Sequence, residues 1–397
     1  MRQRFGMTRL LVRSATALTV AFAATAAYAK DEGPIKIGWL SSLTGPLSSA
    51  AIAENAGVRF AVDEINKAGG IEGRKLELIT RDTAGDPTKA VNFAKELAFN
   101  EKVSFVIGPV NSGESLATVP ILTRAKVPNL IIGTVDELTD PKKYPYAFRV
   151  INTNEQWIKS ANRYALEKLK LKKVAIIGDT TGYGTSSAKS AAQLLDQQGI
   201  KAVYSVLIDP NKTSVDDEVR KAREAGADVI MPWSASTGLL ARILNARGDM
   251  QWDVPVVGHP ALMGLPIRDL LNKPDYWNNT FAAGYASTTW TDGKVPAPTQ
   301  KLMTAIRPTL GSEKINFTFW WVALGYDTVK IIEHAVKQTK GSTDPEDIRK
   351  ALESTRDFKG VYADYTWSPE SHNGFPDSAM VVNLANTFND GSFQIAH

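Results

Sequence analysis

The sequence predicts an α/β protein built as two doubly wound parallel-sheet lobes. Short apolar runs alternate with amphipathic stretches of helical period, and the alternation starts afresh after about residue 150. Glycine, proline and aspartate fall where these helices start and stop.

Ile35–Leu40 reads as the first strand. Val58, Ala61, Val62 and Ile65 then recur at i, i+3, i+4 and i+7, one face of a helix that Gly69-Gly70 closes. Lys75–Ile79 is the next strand, and Asp86-Pro87 opens a helix as N-cap and first-turn proline. Strand Val103–Ile107, helix Ser115–Arg124 and strand Pro128–Ile132 follow. After a connection at Tyr146–Asn154 the pattern resumes with helix Asn154–Leu169, strand Val174–Gly178, helix Thr185–Gln198 and strand Ala202–Leu207. Helix Val215–Ala225, strand Asp228–Pro232, helix Thr237–Ala246 and strand Val254–Gly258 complete the second set. The last third carries helices at Phe317–Lys337 and Asp344–Ser354 and strands at Tyr362–Trp367 and Ala379–Asn383.

The N-terminus reads as a secretory signal peptide over residues 1–29. Arg2, Arg4, Arg9 and Arg13 form a basic head, an apolar run covers about Leu10 to Ala24, and Ala27-Tyr28-Ala29 supplies small-x-small cleavage chemistry. The apolar run is shorter than the ~20 residues of a spanning helix. A periplasmic location and no membrane insertion after cleavage are therefore expected. The chain has 46 Lys+Arg and 42 Asp+Glu, but four of the arginines lie in the leader, so the remainder balances at 42 against 42. A neutral mature chain gives no support for nucleic-acid binding. There are no cysteines among the 397 residues, so thiolate metal sites and cysteine nucleophiles are excluded.

Nothing in the sequence argues for an enzyme. It contains no G-x-S-x-G elbow, no phosphate loop and no G-x-G-x-x-G after a strand. Its histidines (His259, His334, His372 and His397) are dispersed, without metal-ligand spacing. The expectation is a protein that is not an enzyme and needs no cofactor or metal.

In open α/β sheets ligands sit beyond the carboxyl ends of strands, where loops enter helices. Strand Val103–Ile107 runs into Gly108-Pro109-Val110-Asn111-Ser112-Gly113, which can present backbone N–H groups and the Ser112 hydroxyl to an anion. Gly133-Thr134 follows the next strand and offers a second N–H and hydroxyl set. Ser112 and Thr134 can equally be helix caps. In the second half Asp179-Thr180-Thr181-Gly182-Tyr183-Gly184 places a tyrosine at a helix entrance, facing a cleft or packed on its own turn.

With these residues in view the chain resembles the leucine/isoleucine/valine-binding family of periplasmic proteins, the type I solute receptors of ABC transporters. The likeness rests on Leu43-Thr44-Gly45-Pro46, Ala61-Val62-Asp63-Glu64-Ile65-Asn66, Ala68-Gly69-Gly70-Ile71, Val106-Ile107-Gly108-Pro109 with Ser112, Tyr183-Gly184 and Gly325-Tyr326-Asp327, in that order. The resemblance implies three crossing segments, near Asn152, Tyr285 and Val361–Tyr365. Lobe one would be residues 30–152 plus 286–361, and lobe two 153–285 plus 362–397. It also implies a membrane permease as partner and a small carboxylate as ligand. Ser112, Gly133 and Thr134 match the family's carboxylate contacts, and Tyr183 matches the tyrosine that closes over the ligand. Three positions depart: an aromatic is replaced by Ala50, a second tyrosine by Ala235, and the acid that holds the ligand ammonium by Pro260, beside His259. An unpaired buried ammonium is costly. The expected ligand is therefore an aromatic acid of hydroxybenzoate or phenylpropenoid type, with Trp233, Trp320 or Phe319 as ring-stacking walls or as plain core. The alternative is a branched-chain or other hydrophobic amino acid, or an amide, with Glu54 or Asp179 holding the ammonium.

Overall fold

The computed structural model describes residue 1, residues 33–45 and residues 47–397. Apart from Met1, the expected signal peptide falls outside them, as does Pro46 of the Thr-Gly-Pro loop. Residues Pro34–His397 form one compact unit.

The first lobe runs β1 Ile35–Ser41, α1 Ser48–Lys67, β2 Leu76–Asp82, α2 Pro87–Lys95, β3 Phe105–Ile107, α3 Ser112–Arg124, β4 Asn129–Ile131 and β5 Ala147–Arg149. Its five strands order as β2-β1-β3-β4-β5, all parallel, with Ile37 of β1 between Leu78 and Phe105. The second lobe runs α4 Asn154–Asn162, β6 Val174–Asp179, α5 Gly182–Asp196, β7 Tyr204–Ile208, α6 Asp216–Glu224, β8 Val229–Trp233, α7 Thr237–Asp249, β9 Val256–Gly258, a short α8 Pro266–Leu270 and β10 Thr280–Tyr285. The chain continues through β11 Thr289–Trp290, α9 Ala297–Ile306, α10 Phe319–Gln338, α11 Pro345–Ser354, β12 Phe358–Lys359, β13 Asp364–Tyr365, β14 Met380–Asn389 and β15 Ser392–Ile395. The second sheet orders as β11-β15-β14-β10-β9-β8-β6-β7.

Local chemistry sets the helix starts as expected at two aspartates. Asp86 accepts from the Thr88 and Lys89 amides and Asp344 from those of Glu346 and Asp347, each ahead of a first-turn proline. Thr153 and Gln156 form a reciprocal capping box at α4. The helix expected over Asn154–Leu169 is α4 continued by a π-helical stretch, Arg163–Lys168.

Two stretches fall outside the expected lobe boundaries. β11, in the 286–361 segment expected in lobe one, pairs with β15 in the second sheet. Residues 366–374, expected in lobe two, stay with the first: Arg149 N–H donates to the His372 carbonyl and Gly374 N–H to that of Arg149. The chain reaches the second sheet at β14, so the third connection lies between about Phe375 and Met380. Of the strand expected over Tyr362–Trp367, only β13 forms.

α1 and α10 pack backbone to backbone through a pair of glycines. A Cβ at Gly57 would lie 2.0 Å from the Val322 carbonyl oxygen, and one at Gly325 would lie 2.4 Å from that of Glu54. This contact buries Glu54 completely, with Oε1 accepting from the Trp39 indole at 3.3 Å and Oε2 unpartnered among the described residues. Burial pushes its carboxyl up to about 8, against the opposing pull of the Trp39 bond. Between the ordinary carboxylate range and about pH 8, the folded protein holds a proton that the unfolded chain has released. Stability falls as pH rises through that window. Glu54→Gln cannot ionise, so its melting temperature relative to wild type should rise between about pH 5 and pH 9. A pH-independent difference would show that Glu54 does not titrate in this way.

Candidate functional site

A cavity of about 300 Å³ lies between the lobes at the carboxyl ends of both sheets. From lobe one it is bounded by the start of α1, the loop into α3 and the end of β4. From lobe two come α4, the start of α5 and the loops after β8 and β9, and the turn before α10 closes one side. Ile52, exposed on α1, lies at its mouth.

The N-cap of α3 is Asn111, whose side chain accepts from the Gly113 amide at 2.8 Å. Ser112 is thereby released from capping and is 1% exposed at the cavity wall. Its Oγ accepts from the backbone N–H groups of Thr134 at 3.1 Å and Val135 at 3.3 Å. With both acceptor positions used, the hydroxyl proton is left to donate, and an anion beside the α3 N-terminus is its natural acceptor.

The expected Gly133-Thr134 set works differently. Thr134 lines the cavity, but its N–H serves Ser112 and its hydroxyl donates to Asn154 Oδ1. Neither donor is free for a ligand in this arrangement. Gly133 does not reach the cavity: its carbonyl accepts from Arg149, and a Cβ there would lie 2.5 Å from Ser115 Oγ. Both residues support Ser112.

Tyr183 enters the cavity from the first turn of α5, which Thr181 caps through the Gly184 amide at 3.1 Å. It is buried rather than packed on a surface turn, and among the described residues its hydroxyl makes no well-formed hydrogen bond, with Ser187 its polar neighbour. Burial drives its pKa well above the ordinary value, so it faces the cavity as a neutral phenol. Its ring stands edge-on to Trp157 at 6.0 Å and lies 5.0 Å from His259.

His259 is buried on the same wall, and its Nδ1 accepts from the Ala261 amide at 3.1 Å. That bond selects the tautomer with hydrogen on Nε2. Burial pulls its pKa down to about 3, opposed by the Ser234 carbonyl, so the imidazole is neutral near pH 7.

Ala50, Ala235 and Pro260 all line the cavity, which gains room where larger side chains would stand. Trp320 also lines it and stacks on Trp321 with centroids 3.9 Å apart. Trp233 does not: it is wholly buried at the end of β8 and belongs to the core. Phe319 lies behind the wall, its amide donating to the Gly391 carbonyl at 2.9 Å. Sequence reasoning missed Trp157, Phe317 and Trp321, which supply further aromatic wall. The signal for Trp157 was present, since it follows the Thr153/Gln156 cap at the first connection between lobes.

Among the described residues, no Asp, Glu, Lys or Arg lines this cavity. Glu54 sits on the far side of α1 against Trp39, mostly protonated at pH 7. Asp179 is occupied by the Thr181 amide at 2.9 Å, the Thr181 hydroxyl, and the Ser234 hydroxyl at 2.6 Å. Neither acid named for an ammonium reaches the site.

Residues 34–387 match the family model described as periplasmic binding protein. Leu/Ile/Val-binding protein homolog 3 of Brucella melitensis is 28% identical over 369 residues, spanning 91% of this chain and 93% of that protein. Leu/Ile/Val-binding protein BraC3 of Rhizobium johnstonii is 27% identical over 364 residues, spanning 90% and 93%. Among solved structures, the branched-chain amino acid transporter substrate-binding protein LivJ of Streptococcus pneumoniae, in complex with isoleucine, superposes with a TM-score of 0.78. It is 27% identical, with 91% of this chain and 99% of that one covered. An ABC transporter solute-binding protein of R. palustris in complex with 4-hydroxybenzoate gives 0.75 at 18% identity, covering 92% and 96%, a likeness of fold. Its sheets, its cleft and these matches agree: the chain belongs to the periplasmic binding protein family and has the type I fold of that family.

Proposed function

We propose that the protein is the exported solute-binding component of an ABC importer, and that it captures a small aromatic acid and presents it to a membrane permease. The observation that carries the ligand class is the cavity lining: a donor hydroxyl at a helix N-terminus, aromatic walls and, among the described residues, no acidic side chain. A carboxylate finds Ser112 and the α3 N-terminus at one end. The remainder of the ligand meets Trp157, Tyr183, Trp320 and Trp321, which suit a planar ring. Binding alone accounts for these groups, and the reading assigns no catalytic role to any of them.

A branched-chain amino acid is the second reading, favoured by the names of the sequence relatives and by the isoleucine bound to LivJ. Its ammonium would enter a cavity in which Pro260 and neutral His259 stand where a counter-charge is needed. Burying an ammonium without a partner is unfavourable.

Phenylpropionate and phenylalanine differ by the amino group alone and separate the two readings. Calorimetry should show phenylpropionate or a hydroxylated relative binding at least about tenfold tighter, the ratio that ~1.4 kcal/mol gives. Tighter binding of phenylalanine or leucine would replace the aromatic-acid reading with the amino-acid one. Ser112→Ala should weaken the preferred carboxylate by roughly ten- to a hundredfold, the effect of deleting a hydrogen bond to a charged group, with the melting temperature of the ligand-free protein little changed. Wild-type affinity in that variant would place the carboxylate elsewhere in the cavity.

A further inference from the structure

Behind Ser112 lies a buried cation that the ligand reading does not yet use. Arg149, the last residue of β5, is 0% exposed. Its Nη1 donates to the Gly133 carbonyl. Nη2 donates to the carbonyls of Val135 at 2.6 Å and Asp136 at 3.4 Å and to Thr139 Oγ1 at 3.3 Å, and Nε donates to Asn373 Oδ1 at 2.8 Å. Among the described residues no carboxylate comes within ion-pair distance of it. Asp136 is the acid that acts on it through space, and burial holds the Asp136 carboxyl above its ordinary range. A guanidinium enclosed by neutral carbonyl and amide oxygens carries a charge that its surroundings only partly compensate.

The Gly133–Thr134 peptide joins this cation to the cavity. Its carbonyl oxygen receives the Arg149 Nη1 proton, and its N–H donates to Ser112 Oγ at 3.1 Å. The peptide dipole is therefore aligned with the guanidinium at its negative end and the serine oxygen at its positive end. Ser112 Oγ, accepting here and from Val135, keeps its own proton for the cavity. Hydrogen bonds in such a chain polarise one another, and each step leads toward the place where an anion would sit.

We propose that Arg149 is the electrostatic counterpart of the ligand carboxylate, acting through the Gly133–Thr134 peptide and the Ser112 hydroxyl without touching the ligand. Arg149 is a positioning residue in this scheme: it holds the 133–136 loop and supplies the positive field behind an uncharged contact. The arrangement selects a carboxylate over a neutral isostere of the same shape. It rests on the reading that a carboxylate binds at Ser112.

The test compares each acid with its primary amide, using phenylpropionate with phenylpropionamide and leucine with leucinamide. Wild type, Arg149→Gln and Arg149→Lys are titrated by calorimetry with the pair that wild type binds. Arg149→Gln should weaken the acid about tenfold and the amide less than about threefold. Arg149→Lys keeps the charge but cannot hold both loop carbonyls, and should lower the acid-to-amide preference by about threefold. A purely structural arginine would weaken acid and amide alike, so an unchanged preference in both variants overturns the proposal. Should Arg149→Gln fail to fold, Arg149→Lys is measured with and without Ser112→Ala, where the lysine effect on the acid should disappear once the hydroxyl is gone. Persistence of the full effect without the hydroxyl overturns the relay. A wild-type preference for leucine would sink the aromatic-acid reading, while the leucine pair would still report on Arg149.

Discussion

The cleft depends on the side chain of Tyr285. Its hydroxyl accepts from the Trp157 indole at 3.0 Å and donates to Asn152 Oδ1 at 3.0 Å. Its ring lies 4.8 Å from that of Trp320, 4.7 Å from Tyr362 and 5.9 Å from Phe375. Asn152, Tyr285 and the stretch from Tyr362 to Phe375 lie on or beside the three connections between the lobes, so one buried phenol touches all of them. Burial raises its pKa, which keeps the hydroxyl proton and with it both hydrogen bonds. Trp157 and Trp320 are also walls of the cavity. The junction and the ligand surface therefore share side chains, and neither can be repacked alone.

Asp327 secures the same region from the other side. Its carboxylate accepts from the amides of Val361 at 2.8 Å and Tyr362 at 2.7 Å, fixing the backbone after β12 to the middle of α10. α10 in turn is fixed to α1 by the Gly57 and Gly325 contacts. The start of α1 and the turn before α10 both border the cavity, so this rigid pair sets the width of its mouth. Inside, the titratable groups are neutral near pH 7: His259 by its lowered pKa, Tyr183 by its raised one. Fixed dipoles, with Arg149 behind them, would then be the positive influence on the anion proposed to bind there.

The alternation of strands and helices was legible because buried parallel strands are apolar runs and their helices carry a 3.6-residue stripe. The caps at Asp86 and Asp344 were legible for a similar reason, since capping is local chemistry. The lobe boundaries were not. β11 and the stretch around His372–Gly374 join their sheets through backbone hydrogen bonds, which leave no mark in side-chain type. Trp233 shows a related limit. Every residue of β8 is buried, so no alternation tells which face Trp233 takes. Ser112 was placed from a loop pattern and a family likeness, yet its freedom to donate depends on Asn111 taking the cap and on two amides from the next loop. Arg149 lay in a segment read as a connection, where a lone arginine looks like surface.

The last constraint concerns how the two proposed ligand contacts come together. Ser112 begins α3 and Tyr183 falls in the first turn of α5, and the residues beside them, Gly113 and Gly182, are in direct contact across the cleft. A Cβ on Gly182 would lie 2.8 Å from the Gly113 Cα, closer than a side-chain carbon can come, and 3.1 Å from its nitrogen. Two helix N-termini carry partial positive charge and do not attract one another. Bringing them this close becomes favourable when a negative charge lies between or beside them. The carboxylate proposed at Ser112 would answer that requirement and would lie next to the phenol of Tyr183. The bare glycines let the lobes approach, and the proposed anion would give the approach its electrostatic reason, with recognition and lobe contact at one place.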